Sequence, residues 1–228
     1  SQILDIMLCG GYETDVVTTV YGPAGSGKTT LCLLALINTI TNQKKKVIYI
    51  DTEGGFSVAR LEQLVKGNLK SFLEEVLLLK PTRFDEQKRA FEKLREMIDD
   101  RIGLIVVDSI SMLYRLEMAK EDVISTNREL GAQISYLTEI ARKQNIPILI
   151  TNQVYSSFDD RDKVNLVGGD ILKYGSKCLL ELQLLNNAER RIILQKHRSL
   201  PSGREEVFEI KNDGFSEIEK IKENKEES

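Results

Sequence analysis

The chain has 228 residues, 32 Lys and Arg against 35 Asp and Glu, a net charge of −3, 41% hydrophobic residues and one histidine, His197. This length and balance fit one α/β domain with a sizeable core, exclude an intrinsically disordered chain, and give no global cationic field of the kind that advertises nucleic acid. A lone histidine argues against a His-rich zinc site and a Ser–His–Asp triad, and the scattered Cys9, Cys32 and Cys178, with no CxxC pair, read as apolar thiols in a reducing compartment.

Residues 1–12 read as a short lead-in without the basic-then-apolar pattern of a secretion signal, and no apolar run is long enough to span a bilayer. A cytoplasmic protein with no membrane partner is expected. Val16–Tyr21 predicts a strand and Lys28–Ile40 a helix; Val47–Asp51 predicts a strand and Val58–Val65 a helix. Glu75–Leu79 is strand-like and is ended by Pro81. Thr82-x-x-Asp85 predicts a capping box for an amphipathic helix with Phe84, Phe91, Leu94 and Ile98 on one face. Leu104–Asp108 is a continuous apolar run closed by an acid, as in a buried parallel strand. A helix is predicted around Asn127–Lys143 and a buried strand over Ile146–Gln153.

Val154–Asp170 is polar, glycine-containing and without a clear period, long enough for a functional loop. Strand-like runs follow at Cys178–Leu185, Arg190–Lys196, Glu205–Ile210 and Gly214–Ile218 with no helix between them, and "NNAER" joins the first two like a hairpin turn. The expectation is one α/β domain over 1–228. It has a mostly parallel central sheet flanked by helices, an antiparallel C-terminal β edge, and a charged tail at 217–228.

Residues 22–29, "GPAGSGKT", fit G-x-x-x-x-G-K-[ST] through Gly22, Gly27, Lys28 and Thr29, with a predicted strand before and a helix after. Across Gly22, Pro23, Ala24, Gly25, Ser26, Gly27, Lys28, Thr29 and Thr30 the glycines let backbone N–H groups approach phosphate oxygens. The helix beginning near Lys28 points its positive end at the same anion. The occupant expected is a nucleoside triphosphate, with Lys28 on the β- and γ-phosphates and Thr29 on Mg²⁺. Asp108, ending a buried strand, is the candidate carboxylate on the metal side, expected to hold Mg²⁺ through its water shell. In "IDTEGG", Glu53 is the candidate base that orients the attacking water, while Asp51 equally suits a capping role.

"GPAGSGKTT", "YIDTEGGFSVAR", "LIVVDSIS" and "ITNQV", in this order, resemble the RecA-like P-loop ATPase core of RecA/RadA-type recombinases, and within that family the short archaeal paralogues of RadA. The resemblance covers about residues 3–218. It implies that Glu53 activates water, that Arg60 lies against the adenine ring, and that Gln153 senses the γ-phosphate and links it to a DNA-binding loop. A plain surface arginine remains open for Arg60. Lys196 and Arg198 of "KHR" resemble a pair inserted into a neighbouring subunit's nucleotide site, and two apart on a strand they are expected to share a face; a solvated basic strand end is the alternative.

The resemblance also implies two DNA-binding loops, about 112–126 with Arg115 and Lys120, and 154–170 with Tyr155, Phe158, Arg161 and Lys163. Acids offset the charges of both, so the implied affinity for DNA, single-stranded by preference, is modest and salt-sensitive. No phenylalanine–alanine hook precedes Gly22. A monomer, homodimer or short oligomer is therefore expected in place of a long filament. The implied function is an ATP-binding, weakly hydrolysing DNA repair and homologous recombination protein. Its ATPase would be DNA-dependent, its partner a RadA-type recombinase or a repair nuclease, and its location the nucleoid when bound to DNA. Two alternatives stand beside it: a regulatory ATPase that switches a protein partner without touching DNA, and a full strand-exchange recombinase.

Overall fold

The computed structural model describes residues 2–119, 122–156, 164–185 and 188–218. Its centre is a sheet in the order β10-β9-β8-β7-β1-β5-β4-β2-β3. The parallel part holds β1 (Val17–Gly22), β2 (Lys46–Asp51), β3 (Val76–Leu79), β4 (Ile102–Asp108) and β5 (Ile148–Ser156), together with β7 (Cys178–Leu184), which pairs parallel to β1. β8 (Glu189–Lys196), β9 (Glu205–Lys211) and β10 (Gly214–Glu217) continue it as an antiparallel meander. β1, β2 and β4 are buried almost throughout, which is why they read as unbroken apolar runs and not as alternating ones.

Helices cover both faces. On one side α2 (Lys28–Asn42), α3 (Val58–Leu64) and α4 (Leu69–Leu73) share a core with Leu31, Leu36, Leu61 and Phe72. On the other, α5 (Phe84–Met97), α6 (Met112–Met118), α7 (Val123–Gln144) and α8 (Gly169–Gly175) bury Phe91, Leu94, Leu130 and Leu137. The parallel sheet with an antiparallel C-terminal edge is the predicted architecture. Among the described residues, no helix is long and apolar enough to cross a membrane.

Several local expectations shift. The lead-in contains a helix, α1 (Gln2–Met7), that buries Ile3, Leu4 and Met7 in the first core. Thr82 donates its N–H and its hydroxyl to Glu86, not Asp85; Asp85 pairs with Arg83 instead, so the capping box is displaced by one residue. The stretch 112–126, expected as a loop, is largely α6 and the first turn of α7. α7 starts four residues before Asn127 because the Asp122 side chain accepts the Ser125 N–H as its cap. Within 154–170, β5 runs on to Ser156 and pairs antiparallel with β6 (Val164–Leu166), and α8 begins at Gly169.

Candidate functional site

The parallel register sets the site. Gly22 lies beside Gln153, and Asp51 beside Asp108. The C-terminal tips of β1, β5, β4 and β2 therefore converge on one sheet edge, where open α/β sheets bind ligands.

The glycine loop follows β1. Gly27 caps α2 with φ 103°, a left-handed value that an L side chain resists, and no acid stands in the first turn of α2 to compete for its positive end. A Cβ at Gly22 would sit 2.3 Å from the Leu182 carbonyl oxygen, so the loop leaves β1 through a gap that only glycine fits. Lys28 is 9% exposed, and its Nζ donates to the Gly22 and Pro23 carbonyls at 2.8 Å each. Burial pushes its ammonium below the ordinary value, against the pull of Glu53 and Asp108. The Ser26 hydroxyl is buried with no hydrogen-bond partner among the described residues. A cradle with an orphaned hydroxyl, a near-buried ammonium and an open helix N-terminus fits a polyphosphate.

Asp108 is held from both sides. Tyr49 Oη donates to Oδ2 at 2.9 Å and Thr151 Oγ1 to Oδ1 at 2.5 Å. Thr29 also bonds it; burial nevertheless raises its carboxyl above the ordinary value. Thr29 and Asp108, the predicted pair, thus stand together, and a Cβ at Gly55 would lie 3.5 Å from Thr29 Oγ1 and 3.8 Å from Asp108 Oδ2. A hydroxyl and a carboxylate facing a side-chain-free gap suit Mg²⁺.

The two acids of "DTEGG" divide their work. Asp51 Oδ1 accepts the Gly54 and Gly55 N–H groups and Oδ2 the Phe56 N–H, so it braces the loop, while Ser57 caps α3. Glu53 is exposed, and its Oε1 accepts from Ser109 Oγ at 2.5 Å and from Gln153 Nε2 at 2.9 Å. Glu53 and Gln153, a hundred residues apart, are therefore in direct contact.

The more distant candidates sit elsewhere. Arg60, on α3, donates to the carbonyls of Lys211 and Asn212 in the β9–β10 turn. Lys196 ends β8 and its Nζ donates to the Lys173 and Ser176 carbonyls at the end of α8. Arg198 lies past the strand and forks onto Asp15 at 2.9 and 3.0 Å, with Glu13 at 2.9 Å. Strand alternation therefore does not give Lys196 and Arg198 a shared face, contrary to expectation. Because β8 runs opposite to β7 and β1, both cations lie at the sheet edge away from their own glycine loop. Arg115 is exposed on α6. Tyr155 is in β5, where its backbone pairs with Asn165. Lys120, Phe158, Arg161 and Lys163 lie outside the described residues. Sequence reading missed Tyr49, Ser109 and Thr151; their only signal was a hydroxyl at or near the end of a buried strand.

A protein-family model described as Rad51 matches residues 1–218. The chain is 40% identical over 220 residues to the DNA repair and recombination protein RadB of Methanococcus maripaludis strain C7, covering 96% of this chain and 99% of that one. It is 40% identical over 223 residues to the protein of the same name from Methanocaldococcus jannaschii, covering 95% and 100%. A solved structure titled "Crystal structure of the RadB recombinase" superposes with a TM-score of 0.82 at 37% identity, covering 96% of this chain and 97% of that one.

Proposed function

Because this chain belongs to the Rad51 family, we propose that it is an ATP-binding, slowly hydrolysing DNA repair and recombination protein that binds DNA and assists a larger recombinase of the same family. The observation that carries this reading is the convergence of Lys28, Thr29, Glu53, Asp108 and Gln153 on one edge of the sheet.

ATP is the substrate. The backbone N–H groups of the loop and the N-terminus of α2 bind its phosphates, and Lys28 exchanges its carbonyl acceptors for phosphate oxygens. Thr29 and Asp108 would hold Mg²⁺, which when bound would supply positive charge against the phosphates. Glu53 orients the attacking water and accepts its proton. Gln153 stands where β5 leaves the core for the β5–β6 hairpin, so an amide that leaves Glu53 for phosphate moves the root of that hairpin. This ties nucleotide state to the segment expected to meet DNA.

The test is the ATPase rate with and without single-stranded DNA, with mass by light scattering and DNA retention measured over a salt series. Turnover stimulated by DNA and retention that weakens with salt support the reading. A rate indifferent to DNA, with no retention at low salt, sinks its DNA half and favours the regulatory ATPase.

A further inference from the structure

We propose that Ser109, just beyond β4, is a positioning residue whose hydroxyl fixes the Glu53 carboxylate for the attacking water. The inference rests on the ATPase reading above.

Glu53 is exposed and followed by Gly54 at φ 74° and by Gly55, a setting in which a glutamate side chain is free to turn. Something must hold it if it is to orient a water. Ser109 is 0% exposed, and its Oγ donates to Glu53 Oε1 at 2.5 Å, a charge-assisted bond. Its mount is rigid. Thr52 Oγ1 accepts the Ser109 N–H at 2.9 Å and donates to the Ser109 carbonyl at 2.7 Å, while the Thr52 N–H donates to the Asp108 carbonyl at 2.9 Å. The loop that carries Glu53 is thus clasped to the loop that carries the donor.

Gln153 donates to the same oxygen at 2.9 Å. Two donors on Oε1 leave Oε2 to take a proton. On the reading above the amide has a second duty, since contact with phosphate would draw it away from Glu53. Ser109 then remains to keep the carboxylate in place, and among the described residues Glu53 is the acceptor its hydroxyl uses. This division of labour explains a buried serine hydroxyl aimed at an exposed acid.

The experiment measures steady-state ATPase with Mg²⁺ for the wild type, Ser109→Ala, Glu53→Gln and the double variant, with fluorescent-ATP affinity and a thermal melt on each. Alanine keeps the Thr52 clasp, which touches only the backbone of Ser109. The expected result is a kcat lower by about tenfold with KM and nucleotide affinity unchanged, and no further loss when Ser109→Ala is added to Glu53→Gln. Ser109→Cys, similar in shape but a poor donor, is expected to fall with alanine. Ser109→Ala or Ser109→Cys at the wild-type rate while Glu53→Gln is impaired overturns the positioning role and leaves the ATPase reading standing. The same fold-loss in both backgrounds overturns it too, because the serine then acts apart from Glu53. Glu53→Gln at the wild-type rate removes the ATPase assignment of Glu53, and this proposal with it.

Discussion

Gly22→Ala tests the geometry of the phosphate cradle. A Cβ there would lie 2.3 Å from the Leu182 oxygen, 2.9 Å from Ser26 Oγ and 3.1 Å from the Leu182 carbonyl carbon. The Ser26 hydroxyl can rotate away. The Leu182 carbonyl cannot, because it belongs to β7, held by β1 on one side and β8 on the other. Carbon–oxygen contacts relax near ~3.3 Å, so the end of β1 must retreat from β7 by about 1 Å. Overpacking of this kind costs about 3 kcal/mol, which in a domain of this size lowers the melting temperature by ~6–12 °C. Gly25→Ala is the comparison. There φ is 75° and a Cβ meets nothing within 4 Å among the described residues, so only left-handed strain remains, about 1 kcal/mol or ~2–4 °C. Thermal melts with and without ATP and Mg²⁺ read both effects. A Gly22→Ala protein that melts no lower than Gly25→Ala, and still gains stability from ATP, would refute the steric account.

Lys28→Ala is expected to weaken ATP binding by about 3 kcal/mol, roughly a hundredfold, as read by fluorescent-nucleotide titration; unchanged affinity removes Lys28 from the cradle. Asp108→Asn is expected to raise the nucleotide-free melting temperature at neutral pH while abolishing Mg²⁺-dependent turnover. Burial raises this carboxyl in the folded metal-free chain, so its contribution to stability is present at acid pH and lost as pH rises through the raised value. A melting temperature that falls on this substitution contradicts that sign. Arg198→Ala is expected to slow turnover only in preparations where subunits meet. An equal loss in a strictly monomeric sample means that the fork onto Asp15 and Glu13 serves the chain's own fold.

The sheet was legible because its strands are buried on both faces: "LIVVDS" and "IPILITNQ" cannot alternate, and their closing polar residues mark the edge where ligands bind. The glycine loop was legible because its residue types answer a backbone requirement. Three things were not. α1 and α4 are too short for a 3.6-residue period to stand out, and both owe their place to the core they bury. α6 was hidden by its charges, because Arg115 and Glu117 read as a loop when their solvent-facing side of a helix is unknown. The partners of Glu53 and Asp108 come from strands far apart in the chain, and hydroxyls such as Ser109 and Thr151 carry no signature until the register sets them beside an acid.

The parked ammonium of Lys28 has a consequence for selectivity. With two carbonyl oxygens already in its grasp, it is not idle charge waiting for any anion. On the proposed reading an incoming phosphate must draw it off them, so the loop's own backbone competes with the ligand, and a mononucleotide is expected to bind less tightly than ATP.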